Sequence, residues 1–121
     1  MNVAVRITKS FKAAAKPLLK KYASLSGDLL KLEKELLANP KQGTALGHNA
    51  YKIRLKISSK GKGKSGGARV ISVVETILIG EVSQTEEEIT VNLIAIYDKA
   101  DTATISDKEL KELIKAFHQD K

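Results

Sequence analysis

The sequence predicts an α+β domain running strand, helix, helix, three strands and a last helix, its mainly antiparallel sheet covered by a helical hairpin. Three observations carry that expectation. Tyr51, Ile53, Leu55 and Ile57 alternate with Lys52, Arg54, Lys56 and Ser58, so a period of two places apolar and basic sets on opposite sheet faces. After Arg69 the run to Ile79 is almost wholly apolar, which suits a central strand of limited exposure. Between Phe11 and Leu36, by contrast, apolar residues recur at helical spacing.

The elements follow in order. Val3, Val5 and Ile7 alternate with Asn2, Ala4 and Arg6, giving a first strand. Ser10 is placed to cap a helix whose apolar stripe is Phe11, Ala14, Ala15, Leu18, Leu19 and Tyr22, and Pro17 within it should kink or restart the helix. Leu25, Leu29, Leu32 and Leu36 mark a second helix, which Asn39-Pro40 ends because the residue before proline avoids helical angles. Lys41 to Asn49 reads as a loop punctuated by Gly43 and Gly47. The basic strand, a Lys-Gly loop and the apolar strand come next, and Ser83 to Glu88 reads as a polar, acidic turn. Ile89, Val91, Leu93, Ala95 and Tyr97 alternate as the last strand. Ser106 and Glu109 form a capping box for a helix that buries Leu110, Leu113, Ile114 and Phe117.

The 121 residues fit one domain, residues 1–121, with a modest single core. Lys and Arg number 21 against 14 acidic residues, a formal charge of +7, which favours an anionic partner: nucleic acid first, a membrane surface second. With no cysteine, disulfides, thiolate metal sites and thiol catalysis are excluded. No segment has the form of a signal peptide or the length of a membrane span, so a cytoplasmic protein without membrane contact is expected.

Several stretches invite chemistry. Gly63-Lys64-Ser65 matches the tail of a phosphate loop, but Ser58 stands where the leading glycine belongs and the loop feeds a strand, not a helix. Lys60, Lys62 and Lys64 fit better as an arm that meets a nucleic-acid backbone, against the simpler reading of a hairpin connection kept soluble by lysines. Lys52, Arg54 and Lys56 make a basic row, to which Arg69 and Lys99 on neighbouring strands would add. Converging cations of this kind could orient a phosphate, stabilise charge on its oxygens and protonate a leaving oxygen; a charged face left to solvent is the plain alternative. His48 and His118 lie apart, and Asp98 and Asp101 read as turn formers, so neither a metal site nor a cofactor is expected. Tyr97 could stack on a base or finish the core.

Four segments occur in a telling order: Asn39-Pro-Lys-Gln-Gly43, Tyr51-Lys-Ile-Arg-Leu-Lys56, Gly66-Gly-Ala-Arg-Val-Ile71 and Ile96-Tyr-Asp-Lys99. Together they resemble the RelE/ParE superfamily of toxins from bacterial toxin–antitoxin pairs, especially its longer RelE-like and HigB-like members. Those members have a Lys-Gly loop before Gly-Gly-Ala-Arg-Val and an Ile-Tyr-Asp-Lys strand end. The resemblance covers nearly the whole chain. It implies a RelE-like fold, a cognate antitoxin that wraps the toxin, and metal-independent, ribosome-dependent cleavage of mRNA by attack of a ribose 2′-hydroxyl on the adjacent phosphate. By position, Lys52 and Arg54 match strand cations that hold RNA and assist proton transfer, and Arg69 matches the arginine that stabilises the phosphate. Lys99 stands where RelE has a further arginine, while Lys56, Lys60, Lys62, Lys64 and Tyr97 are the expected RNA contacts. RelE has a catalytic tyrosine just before its last helix; Ile105 stands there in this chain, which leaves the general base unassigned and makes Tyr97 a candidate substitute. The same resemblance leaves open a ParE-like inhibitor of DNA gyrase, or an inactive relative that binds nucleic acid without cleaving it.

Overall fold

The computed structural model describes residues 2–60, 67–80, 85–100 and 106–119. In chain order the elements are β1 (Asn2–Ile7), α1 (Lys9–Lys21), α2 (Leu25–Ala38), β2 (Thr44–Gly47), β3 (Ala50–Leu55), a 3-10 turn at Ser58–Lys60, β4 (Ala68–Ile79), β5 (Glu86–Asp98) and α3 (Asp107–Gln119). The fold is α+β, with three helices and a mixed sheet in the order β1-β5-β4-β3-β2. Only the β1–β5 pair is parallel among these neighbours.

β2 corrects the expectation of a loop between the second helix and the basic strand. It is short, mostly exposed and lies at the sheet edge, so burial imposes no alternating pattern on it. Its turn into β3 is made by His48 and Asn49, both at positive φ (54° and 61°), as a tight two-residue hairpin requires. The first helix also begins differently. Thr8 is the cap, its side chain accepting from the Phe11 N–H at 3.2 Å. Ser10 instead donates to the Ile94 carbonyl at 2.9 Å and ties the helix to β5. The helix runs through Pro17, which is exposed along with Ala13, so the carbonyl that loses its usual donor faces water. At the other end of the chain Ser106 caps α3 as expected, accepting from the Glu109 N–H at 3.1 Å.

Each sheet face has its own core. Phe11, Ala15 and Leu18 of α1 with Leu25, Leu32 and Leu36 of α2 pack on Ile53, Leu55, Val70, Val74, Val91 and Leu93. This is the expected helical hairpin over the sheet. On the opposite face, Leu110, Ile114 and Phe117 of α3 pack on Ala50, Ile71, Val73 and Ile94. β4 is central and buried only as far as Val74; Ile77, Leu78 and Ile79 are 56%, 68% and 45% exposed. Beyond the last β3 pair, Ala50 with Val73, β4 continues alongside β5 until Ile79 faces Glu86. Glu86 to Glu88 therefore lie in a strand, where a turn was expected.

Strands β3 and β4 meet closely at Gly67. A Cβ there would stand 2.3 Å from the Leu55 carbonyl oxygen, and backbone cannot swing aside. Gly67→Ala should therefore lower stability by about 2 kcal/mol, as overpacking does. Gly27→Ala is the control: nothing lies within 4 Å of its added Cβ in α2, so helix propensity should raise stability by roughly 0.5–1 kcal/mol. Denaturation midpoints that move the same way for both variants would refute the close approach.

Candidate functional site

The basic residues are gathered by register. On β3, Ile53 and Leu55 face the helical hairpin, which turns Lys52 and Arg54 to the α3 side of the sheet. Arg54 pairs directly with Arg69 of β4, and Arg69 pairs in turn with Tyr97 of β5. The three form one row across three strands. One step along, Lys52 pairs with Ile71 and Ile71 with Ala95.

A β-bulge puts Tyr97 in that row. Ile71 pairs with Ala95 but Ser72 pairs with Leu93, leaving Ile94 as the extra residue on β5. Before the bulge Ile89, Val91 and Leu93 face the hairpin; after it Ile96 does, while Ala95 and Tyr97 pack on the α3 side. Unbroken alternation would have sent Tyr97 to the hairpin face. Tyr97 is half-buried against the second core, and its hydroxyl oxygen is buried.

The cations differ in burial. Arg69 is 8% exposed, Lys52 is intermediate and Arg54 is exposed. Arg69 Nη1 donates to the Ala68 carbonyl at 3.2 Å, which uses one of five N–H donors. The two ion pairs described, Lys60 and Lys21 with Asp98, leave Arg69 without a carboxylate among the described residues. Arg69 is buried as a residue, yet none of its guanidinium nitrogens is both buried and unpartnered, so the group still offers N–H donors outward, and the like charge of Arg54 beside it favours an anion between the two. Lys56 is exposed just past β3. Lys99, half-buried, follows β5 and is held beside the start of β4 by its N–H on the Gly67 carbonyl at 3.1 Å. Lys62 and Lys64 of the proposed arm, and Ile105 at the expected tyrosine position, lie outside the described residues.

Lys60 is placed elsewhere. Its ammonium reaches Asp98 Oδ1 at 2.8 Å, and its side chain is only 13% exposed. Asp98, its side chain wholly buried, also accepts from the Tyr22 hydroxyl at 2.5 Å and the Ala100 N–H at 2.9 Å. This cluster joins the end of α1, the turn after β3 and the end of β5. Nothing in the sequence announced it, because its members are 38 and 76 residues apart. Asp98 was expected only as a turn former; it does accept from the Ala100 N–H, but it also closes β5 and turns its carboxylate toward Tyr22 at the end of α1.

Burial alone would push the Asp98 carboxyl up, but hydrogen bonds from Lys60, Tyr22 and the Ala100 N–H outweigh it and hold it down to about 2. Burial lowers Lys60, and its contacts with Asp98 and Tyr22 reverse that and leave it raised. A depressed carboxylate contributes stability that is complete above its ordinary value of 3.8 and lost as pH falls through about 2. The raised ammonium contributes below its ordinary 10.5 and loses that contribution as pH rises through its folded value. The pair thus stabilises the whole neutral range. Acid denaturation should show a loss of roughly 2 kcal/mol between pH 4 and pH 2, and Asp98→Asn should flatten that limb. Identical acid limbs would place the titrating group elsewhere.

The cationic row lies on a sheet face and shares no residue with the cavity of about 390 Å³ between Arg6, Thr8, Lys9 and Ser10 and Leu113, Ala116 and Phe117. An open row suits an extended polymer better than a small enclosed molecule. Among the described residues no group of three or more His, Cys, Asp or Glu could hold a metal ion, and no helix is long and apolar enough to cross a membrane. In sequence the chain matches no protein-family model and none of the curated proteins.

Proposed function

We propose that the chain is a RelE-like toxin of a toxin–antitoxin pair: a ribosome-dependent endoribonuclease that cuts mRNA and stops translation. The observation that carries this reading is Arg69, an arginine largely buried in the sheet opposite Arg54 with no carboxylate paired to it among the described residues. A phosphate set against both arginines would supply the missing negative charge and accept bidentate hydrogen bonds. Cleavage forms a bond from the ribose 2′-oxygen to phosphorus and breaks the bond to the 5′-oxygen, leaving a cyclic phosphate and a 5′-hydroxyl end. Arg69 and Arg54 stabilise the charge that builds on the phosphate oxygens, and Lys52 or Lys99 supplies the proton to the leaving 5′-oxygen. Lys56 extends contact along the RNA. A cognate antitoxin that silences this face must bring carboxylates to the same row.

One observation favours a second reading, a relative that binds nucleic acid without cutting it. The 2′-hydroxyl proton needs a base, and the buried hydroxyl oxygen of Tyr97 leaves the row without a solvent-facing one among the described residues. Induced expression with mapping of transcript 5′ ends separates the readings. The nuclease gives growth arrest with cuts inside translated frames, lost in Arg69→Ala and when translation is blocked. Arrest with intact transcripts and damaged DNA points to a ParE-like gyrase inhibitor, and RNA binding without arrest to the non-cleaving relative.

A further inference from the structure

The far end of the β4–β5 ribbon has opposite chemistry from the rest of the protein. From Glu75 to Gly80 and from Thr85 to Glu88 there are four glutamates (Glu75, Glu86, Glu87 and Glu88) and no Lys or Arg, in a chain of net charge +7. Ile77, Leu78 and Ile79 are exposed between them. β1 covers the β5 side of the ribbon as far as Glu88. On the β4 side, pairing with β3 stops at Val73, followed by one bond from the Val74 N–H to the Asn49 carbonyl. By strand alternation the N–H and C=O of Thr76 and Leu78 then point outward, as those of Val74 do. Among the described residues no strand pairs with them. An open edge bearing three consecutive apolar residues and none of the usual lysine or proline guards is a template for another strand.

We propose that this edge receives an extended, basic segment of a partner protein, in which apolar residues alternate with Lys or Arg and which adds as a strand beside β4. Backbone bonds to Thr76 and Leu78 would give the pairing, and apolar side chains would cover Ile77 and Ile79 on one face or Leu78 on the other. Charge selects the segment. Ile77, Leu78 and Ile79 pair with Glu88, Glu87 and Glu86, so a carboxylate stands behind each apolar residue, two strand spacings or about 10 Å from the incoming backbone. Lys and Arg side chains cover much of that span along the sheet with their stems on the isoleucines. Glu75 lies on β4 itself, one spacing away. A second copy of this chain would bring its own Glu86 to Glu88 toward the same edge, so charge opposes self-pairing. An acidic segment suited to the Arg54–Arg69 row would be repelled here, which makes this a separate surface from the cationic face.

The test uses the full chain and a labelled peptide of about seven residues alternating Lys and Val, with a Glu and Val peptide as its counterpart. Fluorescence anisotropy should give binding of the first at least about tenfold tighter than the second, weakening with salt. Leu78→Pro removes an edge N–H, and the double variant Glu86→Lys, Glu88→Lys reverses the charge without touching the backbone. Each should weaken binding about tenfold while circular dichroism stays that of the parent. Equal affinity for both peptides, absence of binding, or indifference to the charge reversal would overturn the proposal. So would sedimentation showing a dimer of the parent that Leu78→Pro separates, since the occupant would then be a second copy.

Discussion

Asp98→Ala should be the most destabilising single change in this protein short of truncating the core, with a loss of about 3–5 kcal/mol. The side chain it removes is wholly buried and accepts from Lys60, Tyr22 and the Ala100 N–H. Alanine would leave the Lys60 ammonium, with a side chain 13% exposed, facing a cavity in place of a carboxylate. Lys21 adds little to this pairing, since its ammonium stands 3.9 Å away on a side chain 57% exposed. A melting temperature lowered by more than about 10 °C is expected for a domain of this size. The double variant Asp98→Ala, Lys60→Met should recover part of the loss, because the damage lies in a charge buried without its partner more than in the missing attraction. A double variant no more stable than Asp98→Ala would mean that Lys60 escapes to solvent, and would remove the ion pair from the list of what holds the strand ends together.

The fold class was legible because its signals are local. The period of two in β3 and β5, and the helical stripes from Phe11 to Leu36, are written in residues close together in the chain. β2 was not, because four mostly exposed residues at an edge are shaped by their neighbour and not by their own pattern. The candidate site was legible in part. Lys52 and Arg54 follow from the alternation of β3, but the pairing of Arg54 with Arg69 depends on where the hairpin register falls, which a Lys-Gly connection does not fix. Tyr97 joins the row only through the extra residue Ile94. Lys60, one of the same run of lysines as Lys62 and Lys64, looks identical to them in sequence, and only tertiary structure gives it a buried carboxylate. A charge at period two tells which face a residue takes, but not what stands across from it.

Arg69 should trade stability for function. If its guanidinium is held ready for a phosphate, the folded chain carries a like-charge pair with Arg54 across the strands that only the ligand relieves. Arg69→Met keeps an unbranched side chain of similar length between Arg54 of β3 and Tyr97 of β5 while removing the charge. The variant should be more stable by about 1–2 kcal/mol, and transcript cleavage should fall at least about 100-fold. Arg69→Lys should keep the stability of the parent but lose much of the cleavage, because an ammonium cannot engage two phosphate oxygens in one plane. Denaturation midpoints and mapped cuts on the same three proteins decide the matter. If Arg69→Met proves less stable than the parent, the guanidinium is holding the sheet together through contacts such as the Ala68 carbonyl, and the case for an anion between Arg54 and Arg69 falls with it. If stability rises and cleavage persists, the arginine is a surplus charge and the reaction must be sought at Lys52 and Lys99.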